Sequence, residues 1–274
     1  MKRIRVALAA GLSLLAPASR AAEPETIVLA STTSVQDSGL LARILPVFAQ
    51  KTGIAVHVVA QGTGQALATA ARGDADLVLV HDPDAEAAFV AAGHGVDRTE
   101  IAWNDFVVVG PASDPAKIAG SHDAVAALRA IAAAKAPFVS RGDKSGTDAL
   151  EKRLWQAADL NPATFGGDWY KDIGGGMGAA LNAAAAMEAY TLSDRGTWLS
   201  FGNKADLRPV VEGDRRLLNR YDVILLAPAR HPEAKQIPAH ALASWLSSPE
   251  GQAAIAGYAV KGERLFHPEA DPKP

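Results

Sequence analysis

Cysteine is absent from the 274 residues. That absence removes thiol nucleophiles, thiolate metal sites, disulfides and redox switching from the chemistry available to the chain. It also removes the residue an N-terminal lipid anchor would need. Enzyme signatures are missing too: there is no Gly-x-Ser-x-Gly elbow, no His-Glu-x-x-His pair and no Walker-type phosphate loop. The seven histidines are scattered without ligand spacing, so no metal site is expected. There is no internal repeat and no low-complexity block beyond alanine-rich helices. What is present is an ordinary globular mixture, 49% apolar and 21% charged, which argues against disorder and collagen-like repeats. The length suits one large or two medium domains, with a core that needs no covalent staple.

The first residues read as an address. Lys2, Arg3 and Arg5 form a basic start, Val6 to Leu15 is apolar or small, and Ala16-Pro17-Ala18 and Ser19-Arg20-Ala21 are small-residue cleavage candidates. The apolar stretch is shorter than the ~20 residues needed to span a bilayer. A signal peptide is therefore expected at 1–21, removed on export to the periplasm; an N-terminal amphipathic helix is the bland alternative. Residues 1–21 hold four bases and no acid, so their removal takes the formal net charge from −3 to −7. A chain this acidic has no general attraction for nucleic acid or anionic membrane. Any anion site must be built locally, against the global field.

Short apolar runs at Thr26–Ala30, Ala55–Ala60, Leu77–Val80, Phe106–Gly110 and Tyr221–Ala227 read as buried strands. Helical patterns lie between them: Leu40–Phe48, interrupted by Pro46, then Ala66–Arg72, Glu86–Ala92, Val125–Ala134, Ala149–Gln156, Ala179–Ala189 and His240–Leu246. Ser248-Pro249-Glu250 starts one more. This alternation predicts an α/β fold, a mostly parallel sheet flanked by helices. Asn104–Pro111 and Tyr221–Pro228 resemble each other, and two such strands would carry the chain out of one lobe and back. The expected division is lobe 1 at 22–106 and 228–274, and lobe 2 at 107–227. A single sheet holding all these units would be unusually wide.

Hydroxyl-rich loops carry the chemistry. Ser31-Thr32-Thr33-Ser34 follows the first strand and precedes a helix, where ligands of open α/β sheets bind and helix N–H groups are free. Capping accounts for one hydroxyl there, not four. Gln61-Gly62-Thr63-Gly64-Gln65 repeats the arrangement. Arg141-Gly142-Asp143-Lys144-Ser145-Gly146-Thr147 adds a permanently charged planar donor. Gly174-Gly175-Gly176-Met177-Gly178 opens a further helix, with a flexible hinge as the alternative, and Thr191 lies close after that helix. His81 follows the third strand and reads as a loop histidine, with lining of the cleft as the other reading. Such loops offer many donors and few acceptors, which suits a fully ionised tetrahedral oxyanion. Phosphate keeps a proton and wants an acceptor, which Asp37 or Asp143 would supply. Charge-assisted hydrogen bonds contribute ~1.5–3 kcal/mol each.

Ser31-Thr32-Thr33-Ser34-Val35-Gln36-Asp37-Ser38-Gly39-Leu40-Leu41, Gly62-Thr63-Gly64-Gln65-Ala66-Leu67, Asp74-Ala75-Asp76-Leu77-Val78-Leu79-Val80-His81 and Ala136-Pro137-Phe138-Val139-Ser140-Arg141-Gly142-Asp143 together resemble the tungstate-binding proteins of bacterial ABC transporters. Gly175-Gly176-Met177-Gly178 and Tyr190-Thr191-Leu192-Ser193-Asp194-Arg195-Gly196-Thr197 extend the resemblance over nearly the whole exported chain. That family usually has Thr where Ser31 stands, a change that keeps the hydroxyl. The resemblance implies a two-lobed type II periplasmic binding protein with two crossover strands and no catalysis. It also implies a tungstate site formed by Thr32, Thr33, Ser34, Thr63, Arg141, Ser145, Gly146, Thr147 and Gly176, without cofactor. The partners it implies are an ABC permease and its ATPase, with the receptor itself a monomer. Molybdate, phosphate or sulfate receptors of the same architecture, and a non-transport anion sensor, are the alternatives. Porphobilinogen deaminase shares a related architecture, but it tethers its cofactor through a cysteine.

Overall fold

A computed structural model describes residues 25–166, 168–260 and 262–273. The expected signal peptide at 1–21 lies outside the described residues. The strands are β1 (Thr26–Thr32), β2 (Ala55–Gln61), β3 (Leu77–Val80), β4 (Gly95–Pro111), β5 (Phe138–Ser140), β6 (Tyr170–Asp172), β7 (Tyr190–Asp194), β8 (Leu207–Val211) and β9 (Leu218–Leu226), with short β10 (Ala259–Val260), β11 (Glu263–Arg264) and β12 (His267–Pro268). The helices are α1 (Thr33–Asp37), α2 (Leu40–Thr52), α3 (Thr63–Ala71), α4 (Pro83–Ala91), α5 (Ala124–Ala134), α6 (Gly146–Ala157), α7 (Met177–Met187), α8 (Arg195–Ser200), α9 (Gln236–Ser247) and α10 (Pro249–Ala256). Among the described residues, no helix is long and apolar enough to cross a membrane.

The strand order is β2-β1-β3-β9-β4-β7-β5-β6, with β8 and β12 also on β4. Pairing is parallel at both ends, β1 with β2 and β3, and β5 with β6 and β7. It is antiparallel wherever β9 or β4 takes part. The sheet is thus mixed, because the two strands that pass between lobes run against their neighbours. β4 does this in one piece. Its first part pairs with β9, and Phe106 to Pro111 pair with β7 and β8.

The two similar segments lie on strands that pair with each other, β4 and β9, but not opposite one another: Tyr221 and Leu226 face Ala102 and Gly95, while Asn104 faces Asn219. The strand Tyr221–Leu226 hydrogen-bonds to β3, in the first half of the sheet. Resemblance between two strands says that both cross; it does not say to which sheet each is bonded.

Each half of the sheet is covered on both faces. Leu40, Ile44 and Phe48 of α2 pack with Leu242 and Trp245 of α9 and Ile255 of α10 on one face of the first half. Ala66, Ala70 and Phe89 of α3 and α4 close the other. The second half is sandwiched between Val125, Leu128, Leu154 and Trp155 on one side and Met177, Leu181 and Trp198 on the other. A fully buried Leu, Ile or Phe contributes ~1.5–3 kcal/mol, so each half carries a sufficient core of its own.

Pro46 neither splits nor ends α2, which runs from Leu40 to Thr52 around it. The first loop does not feed that helix directly. A separate five-residue helix, α1, comes first, capped by Thr32, whose hydroxyl oxygen accepts the Val35 N–H at 3.1 Å.

Candidate functional site

The carboxyl ends of β1, β2 and β3 place Thr32, Thr63 and His81 along one edge of the first half. Parallel pairing sets Thr32 beside Gln61, so α3 begins next to the hydroxyl loop, one strand spacing away, ~4.8 Å. Thr32 Oγ1, Ser34 Oγ and His81 Nε2 form a triangle. The hydroxyls are 3.1 Å apart, and they lie 3.1 and 3.0 Å from the ring nitrogen. Ser31 points away and donates to the Leu79 carbonyl at 2.8 Å, while Thr33 is exposed.

Behind the imidazole lies a buried polar relay. His81 Nδ1 is 3.1 Å from Asn219 Oδ1. The Asn219 amide donates to Asn104 Oδ1 at 2.9 Å and to the Tyr221 hydroxyl at 2.6 Å. Tyr221, whose ring centroid is 5.1 Å from that of His81, donates in turn to Asn104 Oδ1 at 3.3 Å. Burial lowers the His81 pKa from its ordinary value, against Asn219, Asp82 and Asp194, which act to raise it. The turn carrying His81 is pinned by Glu86, which accepts the Asp82 N–H at 2.7 Å and pairs with Arg98 at 2.7 Å. Burial, then Asp222, push the Glu86 carboxyl up to about 8.

The second half contributes the loop after β5. Arg141 is clamped from both ends. Its Nε donates to Asp143 Oδ2 at 3.1 Å, its Nη2 makes a further contact with the same oxygen, and its Nη1 donates to Thr147 Oγ1 at 3.2 Å. Asp143 also accepts the Ser145 N–H at 3.1 Å. Burial raises the Asp143 pKa, and hydrogen bonds with Ser145 and Arg141 outweigh it, leaving the carboxyl below its ordinary value. Ser145 caps α6 by accepting the Asp148 N–H at 3.3 Å.

Gly142 lets this turn form: its φ is +59°, and a Cβ there would collide with the Asp172 carboxylate. The Gly175 N–H donates to the Arg141 carbonyl at 2.9 Å, which brings the glycine loop and Gly176 alongside. Among the described residues no side chain caps α3 or α7, so their first-turn N–H groups are not consumed by a cap. Gly176 itself has an ordinary φ of −69°.

The two halves meet here. A Cβ on Gly146 would stand 3.3 Å from His81 Cε1. Arg153 of α6 reaches Asp82 at 3.8 Å and Asp84 at 3.6 Å. A cavity of about 310 Å³ opens between them, lined on one side by His81, Pro83 and Asp84 and on the other by Gly146, Leu150 and Arg153.

Of the residues singled out from the sequence, Thr32 and Ser34 join His81, and Arg141, Ser145 and Thr147 form a second cluster with Asp143. Gly146 is the contact between the two. Thr63 and Gly176 sit at neighbouring helix starts without a hydrogen bond to either cluster among the described residues. Thr191, 1% exposed in the middle of the β4-β7-β5 ladder, is a core residue. The sequence pattern alone does not mark Asn104, Asn219 and Tyr221 as site residues. The available signal was an asparagine shortly before each of the two similar apolar strands. Among the described residues, no group of three His, Asp or Glu side chains is placed to hold a metal ion.

The PBP superfamily domain matches residues 19–250. The tungstate-binding protein TupA of Peptoclostridium acidaminophilum is 44% identical over 249 residues, which cover 89% of this chain and 86% of that protein. The chain belongs to the PBP superfamily, in the TupA family. Two solved structures extend the likeness from sequence to fold. The tungstate binding protein TupA from Desulfovibrio alaskensis superimposes with a TM-score of 0.84 at 42% identity, covering 90% of this chain and all of that one. The tungstate ABC transporter structure from Geobacter sulfurreducens gives 0.74 at 44% identity, covering 85% and 99%. The expected two-lobed α/β binding-protein fold is the fold of this TupA-family chain.

Proposed function

We propose that this chain is the extracytoplasmic receptor of a tungstate ABC transporter. It captures tungstate between its lobes and hands it to a membrane permease driven by an ATPase. The observation that supports this reading is the close approach of two donor-rich loops, with Gly146 of the Arg141–Thr147 loop against His81, which is bonded to Thr32 and Ser34. Thr32 uses an oxygen lone pair for capping and keeps its proton to donate, while the Ser145 hydroxyl caps α6 and bonds the Asp143 carboxylate. The guanidinium and the uncapped starts of α3, at Thr63, and α7, at Gly176, supply further donors. An oxyanion without protons satisfies such a set and needs no acceptor in return.

The location that goes with this role is the periplasm, reached by export with loss of residues 1–21, and the working unit is a monomer. The β4 and β9 ladders support lobes divided at 25–105 with 218–273, and 106–217. The role is binding and release, without catalysis.

Calorimetric titration of the exported chain with tungstate, molybdate, phosphate and sulfate tests the reading. Tungstate binds most tightly if it is correct. A clear preference for phosphate or sulfate overturns the ligand, and no binding of any of the four overturns the receptor.

A further inference from the structure

The charge balance of the cleft is incomplete for a dianion. Arg141 is paired with Asp143, Arg153 with Asp82 and Asp84, and Arg216, which also lines the cavity, with Asp214. Arg220, on the same wall, has Glu100 at 3.9 Å. Each of these guanidiniums already has a carboxylate. A doubly charged oxyanion entering here meets donors but little uncompensated positive charge.

The hydrogen-bond relay fixes how His81 enters this balance. Asn219 uses its amide N–H groups on Asn104 and Tyr221, so its Oδ1 faces His81 as an acceptor. The proton of a neutral His81 therefore sits on Nδ1, and Nε2 is a lone pair directed at Thr32 Oγ1 and Ser34 Oγ. In that state the ring draws hydroxyl protons toward itself and away from the cleft.

Building on the oxyanion reading above, we infer that His81 takes up a proton when the anion binds. Nε2 then changes from acceptor to donor, the Thr32 and Ser34 hydroxyls turn their protons toward the anion, and the imidazolium supplies the missing positive charge. Nδ1 keeps its bond to Asn219 in both states, so the ring need not move. The ionisable groups acting on the ring are Asp82 beside it in the chain and Asp194 from the end of β7; Arg153, Arg216 and Arg220 share the cavity wall. Burial lowers the imidazole pKa of the free protein, and Asp82 and Asp194 act in the opposite sense; a bound anion would add to them.

The sign follows. Anion binding raises the His81 pKa, so affinity is highest at low pH. It falls by up to about tenfold per pH unit as the pH rises from the free to the bound value.

The experiment is calorimetry with sodium tungstate between about pH 6 and about pH 8, in buffers of different ionisation enthalpy. Near pH 7 the expected result is uptake approaching one proton per anion, accompanied by the imidazolium ¹⁵N signature of His81 in the loaded protein. His81→Gln, which keeps an N–H donor, is expected to bind more weakly with a flat pH profile. Tight tungstate binding with no proton uptake and a neutral His81 signal overturns this inference and leaves the receptor reading intact. Absence of tungstate binding overturns both. If His81→Gln misfolds, the wild-type proton count and ¹⁵N signal decide alone.

Discussion

The two walls of the cleft solve one problem by different means. The first-lobe wall is neutral: two hydroxyls and an uncharged imidazole, backed by two asparagines and a tyrosine that share protons out of contact with solvent. The second-lobe wall is ionic: a guanidinium held by Asp143 and Thr147 on a turn that only glycine at 142 allows. A neutral wall holds its geometry through directional hydrogen bonds and gains charge by titrating. An ionic wall has its charge at every working pH and needs a counter-carboxylate to keep that charge soluble in a part-buried place. Placing Asp143 below its ordinary range keeps that counter-charge ionised throughout.

The largest test of this contrast is Arg141→Ala. It leaves Asp143 facing the anion alone, and titration is expected to show tungstate affinity falling about a hundredfold or more, from a charge-assisted contribution of ~1.5–3 kcal/mol for each bond lost. Arg141→Lys, a point charge without the fork, is expected to fall between. An unchanged affinity for the alanine variant would remove the second-lobe wall from the site.

Gly142→Ala comes next. The positive φ and the collision with Asp172 are expected to cost ~1–3 kcal/mol, a drop of several degrees in melting temperature. Adding Asp172→Ala returns the steric share only. Full recovery in the double variant would mean that φ strain contributes nothing here.

On the neutral wall, Thr32→Val keeps shape and deletes both the α1 cap and the hydroxyl donor. About a tenfold loss of tungstate affinity is expected, with ~1 kcal/mol of stability. A loss as large as that of Arg141→Ala would abolish the distinction between the two walls.

The smallest effect is expected from Arg153→Ala. Its pairs with Asp82 and Asp84 are long and its side chain is 40% exposed, so such contacts contribute ~0–1 kcal/mol and affinity changes by a factor of a few at most. A tenfold change in titration would show that the bridge between walls, and not the walls themselves, dominates capture.

Much of this fold is legible in the sequence where one period dominates. β3 coincides with its expected residues, and α5 and α9 extend theirs by one to four at an end. The first part of β4 is not legible. Asp97, Arg98, Thr99 and Glu100 interrupt its apolar pattern, Asp97 has a positive φ of 51°, and the ladder shifts register between Val96 and Thr99 and again between Glu100 and Ala102. A strand with such irregularities has no clean alternation to read.

The site divides in the same way. The hydroxyl loops announce themselves because four such residues at a strand end exceed what capping uses. The relay behind His81 does not, because Asn104 and Asn219 are 115 residues apart and only strand pairing brings them together. Without them, His81 is one more histidine in a loop.

One feature bears on how such a receptor lets go of its cargo. β4 runs unbroken for 17 residues through both halves of the sheet, so the lobes are joined by a common spine and not by a slack tether. Opening such a molecule means bending β4 and β9 where they pass between the halves, near Asp105 and Leu218, which are paired with each other there. A hinge of that kind stores elastic work when it is displaced and returns it afterwards, so the jaws come back to one rest position after each delivery.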